Sequence, residues 1–235
     1  MTPSPQATAS PKATPRPLPQ GGEPVVLNPA EFVAVIDHPY WPMFVGSHWV
    51  YREGSGGSQD QVDITVLADT KVILGVTATV VHDVVSHNGT LVEDTLDWYA
   101  QDGAGNLWYL GEDTKEYQNG SVVSTAGSWE AGLDGAQAGI ILPGEPKVGM
   151  TYRQEYYAGQ AEDAGEILSL TEHAEVPFGS FTDVLMTKDF SQLQANVVEH
   201  KFYARGIGVV LVVLASGGSG REELLTFDPG VRPGD

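Results

Sequence analysis

Three residues in this chain are of types that could do acid–base or metal chemistry together: His82, Glu93 and Asp97. They sit on two runs rich in Val, Thr, Leu and aromatics, joined by Asn88-Gly89. Asn-Gly in that setting marks a two-residue type I′ turn, because both central residues must take positive φ and these two tolerate it. His87 then pairs with Thr90, and stepping outward Val84 faces Glu93, His82 faces Thr95 and Val80 faces Asp97. His82 lies diagonal to both carboxylates, within reach of long side chains. An imidazole between two carboxylates can ligate a divalent cation, the one cofactor suggested here, or act as a base oriented by an acid. With neither role it is an ion-pair cluster on a wet face. The opposite face of the same hairpin sets Asp83 against Asp94, a like-charge pair that needs water, a cation or a proton between its members. A β-bulge would slip the register by one residue and dissolve both sets.

A third group is aromatic: Trp98, Tyr99, Trp108, Tyr109 and Trp129, with Tyr117, Tyr152, Tyr156 and Tyr157 nearby in sequence. Such residues form the core and girdle of a β domain, or line an apolar pocket inside it. No nucleophile elbow, HExxH, phosphate loop or dinucleotide fingerprint is present, so no catalytic residue is assigned. Asp102-Gly103-Ala104-Gly105-Asn106 has the small residues of a calcium loop but lacks its acidic run and closing Glu, and reads as a hairpin turn.

The elements that must position these residues are strands. Runs near 48–53, 60–68, 71–87 (broken near Gly75), 90–101, 105–117, 121–125, 150–158, 164–176, 181–190, 197–204, 207–215 and 220–227 are bounded by Gly, Pro, Asn and Asp. Asn119-Gly120 marks a second hairpin. Residues 126–149 are too long and Gly-rich for a hairpin loop and read as a lid or cover. Asn28-Pro29-Ala30-Glu31 is a helix start, so one short N-terminal helix is expected before His38-Pro39. The fold class is therefore all-β, an antiparallel meander forming a barrel, half-barrel or sandwich, since an open sheet of this size would expose a face and two edges.

The expected organisation is a Pro-rich disordered tether over 1–24, one antiparallel β domain over 25–228 and a flexible C-terminal tail over 229–235. Seven of the chain's 15 prolines fall in the first segment, which suits an extended spacer. The chain carries 31 acidic against 12 basic residues, a formal charge of −19. Such a surface repels phosphate backbones and attracts cations, which argues against nucleic acid as a partner. There is no cysteine, hence no disulfide and no thiolate metal site. No run of apolar residues is long enough to span a membrane as a helix.

Several stretches are familiar. Asp37-His38-Pro39-Tyr40-Trp41-Pro42 with Trp49-Val50-Tyr51, Glu93-Asp94-Thr95 with Asp97-Trp98-Tyr99, Val176-Pro177-Phe178-Gly179-Ser180-Phe181, and Val198-Glu199-His200-Lys201-Phe202-Tyr203-Ala204-Arg205-Gly206-Ile207-Gly208 span most of residues 37–215. Together the chain resembles a group of uncharacterised exported bacterial proteins, many of them predicted lipoproteins, whose pattern E-Y-K-Y-Y-A-P-G-V-G-L-V the last stretch looks like, with departures that include Arg205, where proline is typical, and Phe202. The resemblance implies an extracytoplasmic protein, secreted or lipid-anchored at the cell envelope, with antiparallel β architecture and no established activity. The expected function is a surface-tethered binding or structural domain for a small molecule, lipid or cation. A His/carboxylate or cation-dependent hydrolase and a self-assembling envelope component, with homo-oligomers, are the alternatives.

Overall fold

In the computed structural model, residues 17–55 and 58–234 are described. A 3₁₀ turn over Pro29–Glu31 is followed by sixteen strands: β1 (Phe32–Val33), β2 (Ser47–Ser55), β3 (Ser58–Ile73), β4 (Val76–His87), β5 (Thr90–Asp102), β6 (Leu107–Gln118), β7 (Ser121–Ser124), β8 (Trp129–Glu130), β9 (Gln137–Leu142), β10 (Thr151–Arg153), β11 (Glu155–Tyr156), β12 (Asp163–Val176), β13 (Gly179–Ser191), β14 (Val198–Ala204), β15 (Gly208–Ser216) and β16 (Arg221–Pro229). All ladders are antiparallel, in the order β10-β12-β13-β14-β15-β16-β2-β3-β4-β5-β6-β9-β11. The two ends of that path, β10 and β11, are one stretch of chain separated only by Gln154. Residues 151–156 thus pair with β12 on one side and β9 on the other, and bring the sheet round into a nearly closed barrel. Closure removes the exposed edges that an open sheet would present.

Gly139 makes the closing contact fit. A Cβ there would lie 2.7 Å from the Arg153 carbonyl oxygen and closer still to the Gln154 carbonyl, so only glycine lets β9 approach this stretch. The expected cover over 126–149 is in part this wall. Gln137–Leu142 pairs with β6 and β11, and Trp129–Glu130 pairs with β6 at a bulge where Gly111 takes φ 134°. The run was illegible as strand because Gly-Ile-Ile-Leu is short and sits among glycines and prolines.

The expected helix is a single 3₁₀ turn. Asn28 does cap it, accepting from the Ala30 amide at 3.2 Å, but Phe32 and Val33 then pair with Asp102 and Gln101 of β5. Of the β-branched residues, Val33 pairs on the sheet and Ile36 bridges to Met43, and both gain more as extended chain than from continuing a helix too short to be stable.

Residues 1–16 of the expected tether lie outside the described residues. From residue 17 onward the arm is packed on β10: the Arg153 amide donates to Pro19 O at 2.7 Å, and its buried guanidinium donates to Gly21 O, to Glu23 O at 2.9 Å and to Ala138 O at 2.7 Å. The packed domain therefore takes in 17–24, which composition alone assigns to the spacer. At the other terminus Val231 donates to Val45 O and the Arg232 guanidinium lies 5.8 Å from the Phe44 ring. Arg153→Met is expected to cost about 2–3 kcal/mol, because three carbonyls lose a charged donor at once. Urea denaturation checks this, and an unchanged midpoint would make the arm energetically idle.

Both Asn-Gly turns are as expected, with φ of 51° and 75° at Asn88 and Gly89 and 53° and 75° at Asn119 and Gly120. A Cβ at Gly89 would touch nothing within 4 Å, so the effect of a substitution there is purely conformational. Gly89→Val should destabilise by about 1–2 kcal/mol by denaturant titration, through a β-branched residue forced to positive φ; no loss would contradict the turn.

Candidate functional site

The Asn88-Gly89 turn is right, but the register does not continue inward from it. Ser86 pairs with Leu91 and the next pair is Val85 with Glu93, so Val92 is the extra residue of a bulge. Beyond it every pairing shifts by one: Val84 with Asp94, Asp83 with Thr95, His82 with Leu96 and Val81 with Asp97. Because side chains alternate, one inserted residue moves the whole of β5 to the other face relative to β4. His82 is turned outward, where Nε2 lies 3.3 Å from Asp94 Oδ2 on the same outer face. Glu93 and Asp97 are turned inward with Asp83. The set His82, Glu93 and Asp97 does not converge, and Asp83 does not oppose Asp94. Among the described residues no three His, Asp or Glu side chains are placed to hold a metal ion.

What the bulge assembles is the inner face of the barrel. A cavity of about 410 Å³ opens there. Its walls carry apolar side chains at one end of the strands and carboxylates toward the other. Along β2 the inward residues are Trp49, Tyr51 and Glu53; along β5, counted back from its end, they are Tyr99, Asp97, Thr95 and Glu93; along β14, Tyr203, Lys201 and Glu199. The strand ends at 47, 73–76, 102–107, 204–208 and 229 lie at the apolar end, where the segment 37–46 crosses and buries Tyr40 and Met43.

At the apolar end the rings form a ladder. Tyr203 and Tyr99 lie 6.0 and 5.8 Å from Trp41, Tyr99 stacks on Tyr109 at 4.9 Å, and Tyr109 meets Trp129 edge-on at 5.3 Å. Of the five aromatics singled out from sequence, Tyr99 and Tyr109 line the cavity and Trp129 backs them from β8. Trp98 and Trp108 face outward, Trp98 beneath the Lys71 ammonium at 3.3 Å and Trp108 beside Phe32, donating to Asp102 Oδ2 at 2.9 Å. Asp102 also accepts from the Ala104 and Asn106 amides, so that loop is a self-satisfied turn rather than a cation loop.

Above the rings the carboxylates oppose one another. Asp97 pairs directly with Glu112, Glu53 with Glu222, Asp189 with Glu199 and Glu93 with Glu116 across neighbouring strands. Like charges directly opposite destabilise a sheet. Among the described residues only the Asp189–Glu199 pair has a cation between its members: Lys201 Nζ lies 3.2 Å from Asp189 Oδ2 and 3.9 Å from Glu199 Oε2. Gln154 and the Thr187 hydroxyl donate to the same Asp189 carboxylate at 3.0 and 2.6 Å. Burial, the largest single influence, would lower the lysine, but Asp189, Tyr203 and Glu199 together outweigh it and hold the ammonium charged.

The remaining carboxylates carry the strain. Burial, then the charges of Glu222, Glu93 and Glu53, pushes Asp83 up to about 8, and its Oδ1 is buried without a hydrogen-bond partner. Burial also raises Asp97 to about 7 against a 2.6 Å hydrogen bond from the Tyr109 hydroxyl, and Glu112 to about 7 against one of 2.8 Å from Thr114. Glu155, which accepts from Trp129 Nε1 at 2.9 Å, reaches about 8, and Glu222 about 7. Asp163 and Glu53 are raised for the same first cause.

Sequence reasoning named Tyr99, Tyr109, Asp83 and Asp97 but missed Trp41, Tyr51, Glu112, Glu155, Lys201, Tyr203 and Glu222. A signal existed: several strands run from aromatic to acidic at alternate positions, as in Trp49, Tyr51, Glu53 and in Tyr203, Lys201, Glu199, and read side by side they describe one barrel with an apolar base and an acidic upper wall.

No protein-family model matches the chain, and no curated protein matches it. Among solved structures, a "putative lipoprotein" from Parabacteroides distasonis ATCC 8503 is similar over 80% of this chain and 98% of its own, at 13% identity and a TM-score of 0.45. Among the described residues no helix is long and apolar enough to cross a membrane.

Proposed function

We propose that the protein is an exported, surface-tethered binding module whose ligand enters the barrel. The observation that supports this best is the interior itself. A 410 Å³ space with an aromatic base and polar walls is of the size and make-up of small-molecule sites, and its facing carboxylates lower stability without serving the core. Among the described residues no histidine lines that space, and His82, from which the hydrolase alternative is drawn, lies on the outer face beside Asp94. The proline-rich residues ahead of the packed arm suit a spacer to an envelope anchor.

Native mass spectrometry of the full chain after incubation with a small-molecule extract tests the reading. An adduct is expected on the parent and not on Val212→Trp, which fills the cavity. Absence of any adduct, or equal adducts on both proteins, would overturn it. Cell fractionation tests the tether, with recovery in the envelope expected and recovery in the cytoplasm contrary.

A further inference from the structure

Resting on interior binding, we infer that the ligand is an organic cation with two or more ammonium groups on an aliphatic frame. Three features of the cavity point to it together. First, the wall is mostly acidic: its two cations, Lys201 and Arg221, are held by Asp189 and Glu223, and among the described residues no cation lies between Asp97 and the facing Glu112 or between Glu53 and the facing Glu222, so a single ammonium would leave most of the repulsion in place. Second, Asp83 Oδ1 is buried in this wall with no hydrogen-bond donor, which a buried carboxylate oxygen in a finished site would have. Third, Ile64, Val81, Val209, Val212 and Leu214 line the same space, surface that methylenes would cover and a hydrated inorganic ion would not.

The protein contains one example of the chemistry. Lys201 is an alkylammonium inside this barrel, its Nζ seated between Asp189 and Glu199. A ligand ammonium at Asp83 would repeat that arrangement on the opposite side of the sheet path, with the rings of Tyr99 and Tyr109 below to receive a second cationic group. A bare calcium or magnesium ion is a poorer fit, since it needs about six or more converging oxygens, and among the described residues not even three His, Asp or Glu side chains are placed to hold a metal ion.

Binding should release protons. Glu53, Glu93 and Glu222 face Asp83 from β2, β5 and β16, and Lys201 is committed to Asp189, so part of this wall is protonated near neutrality and must ionise to hold an ammonium.

The test is calorimetric titration of the full chain with spermidine at fixed ionic strength, at pH 6.0 and 8.5, beside calcium and an uncharged triol of similar length. Spermidine is expected to bind at least tenfold more tightly at the higher pH, with proton release seen as a buffer-dependent heat. Asp83→Asn combined with Glu222→Gln should weaken it at least tenfold, while Asp94→Asn on the outer face leaves it unchanged; thermal melts confirm that each variant is folded. Calcium binding more tightly than spermidine, equal binding of the triol, or spermidine binding that survives the double substitution would each overturn the inference. If spermidine fails while an extract adduct still depends on the open cavity, the cationic ligand is wrong and interior binding stands; if both fail, both are wrong.

Discussion

The melting temperature of the protein is expected to be highest near pH 5–6 and to fall steadily toward pH 9. The sign follows from the interior carboxylates. Asp83 and Glu155 are raised to about 8, and Asp97, Glu112 and Glu222 to about 7, each chiefly by burial. Unfolded Asp and Glu titrate near about 4, so between that value and about 8 the folded state holds more protons than the unfolded. Stability therefore declines as pH rises through this window, the reverse of the usual effect of salt-bridged carboxylates. Two opposing contributions act on the acid side. Burial lowers His38, so its share of stability is lost as pH falls below the unfolded value near about 6.5, and Glu23 and Glu223, lowered by hydrogen bonds, lose theirs only as pH falls below the unfolded value near about 4. Five raised acids outweigh one histidine above pH 6. Thermal unfolding at constant ionic strength from pH 5 to 9 checks this, and Asp83→Asn with Glu155→Gln should flatten the slope. A melting temperature that is level or rising across that range would mean that the interior carboxylates are solvated as surface groups are.

The same carboxylates show how far sequence reaches. Strand identities were legible because β-branched and aromatic runs alternate with Gly, Asn and Pro, and both Asn-Gly turns form as their residue types demand. The site was legible only up to Val92. Nothing in Thr90-Leu91-Val92-Glu93 marks an inserted residue, because a bulge is selected by how the strand twists round the barrel rather than by its own side chains. That one residue decides whether His82 or Asp83 shares a face with Asp97. A second bulge, at Gly111, does the same for β6: Tyr109 and Glu112 both point inward although their spacing is odd for a strand. Here a clue existed, since a glycine between Leu110 and Glu112 is a poor strand residue and its Cβ would meet the Trp129 and Glu130 backbone. The acidic composition likewise pointed to cations, but only tertiary closure could show that much of the charge faces inward.

Closure itself gives the second large effect. Gly139→Val is expected to cost about 3–4 kcal/mol or more, a fall in melting temperature of roughly 8–15 °C for a domain of this size. The reason is local and steric. A side chain at this position would enter the backbone of Arg153 and Gln154, which cannot yield as the end of a flexible side chain would. Residues 151–156 hold both ends of the sheet path: Tyr152 pairs with Gly165, Glu155 pairs with Ala138, and the Gln154 amide donates to Asp163 O at 2.8 Å. Pushing β9 away therefore loosens the seam of the barrel and lets water reach Leu142, Ile140 and Tyr152, all fully buried. Amide hydrogen exchange should localise the damage, with protection lost over 137–142 and 151–156 before the β2–β5 ladder. Gly179→Ala is the control, because its Cβ would meet only the Phe181 ring at 3.7 Å, an ordinary contact at negative φ, and its melting temperature should stay within error of the parent. If Gly139→Val melts with the control, β9 and the 151–156 stretch do not abut, the barrel is open along that seam, and the cavity whose wall they complete is a groove.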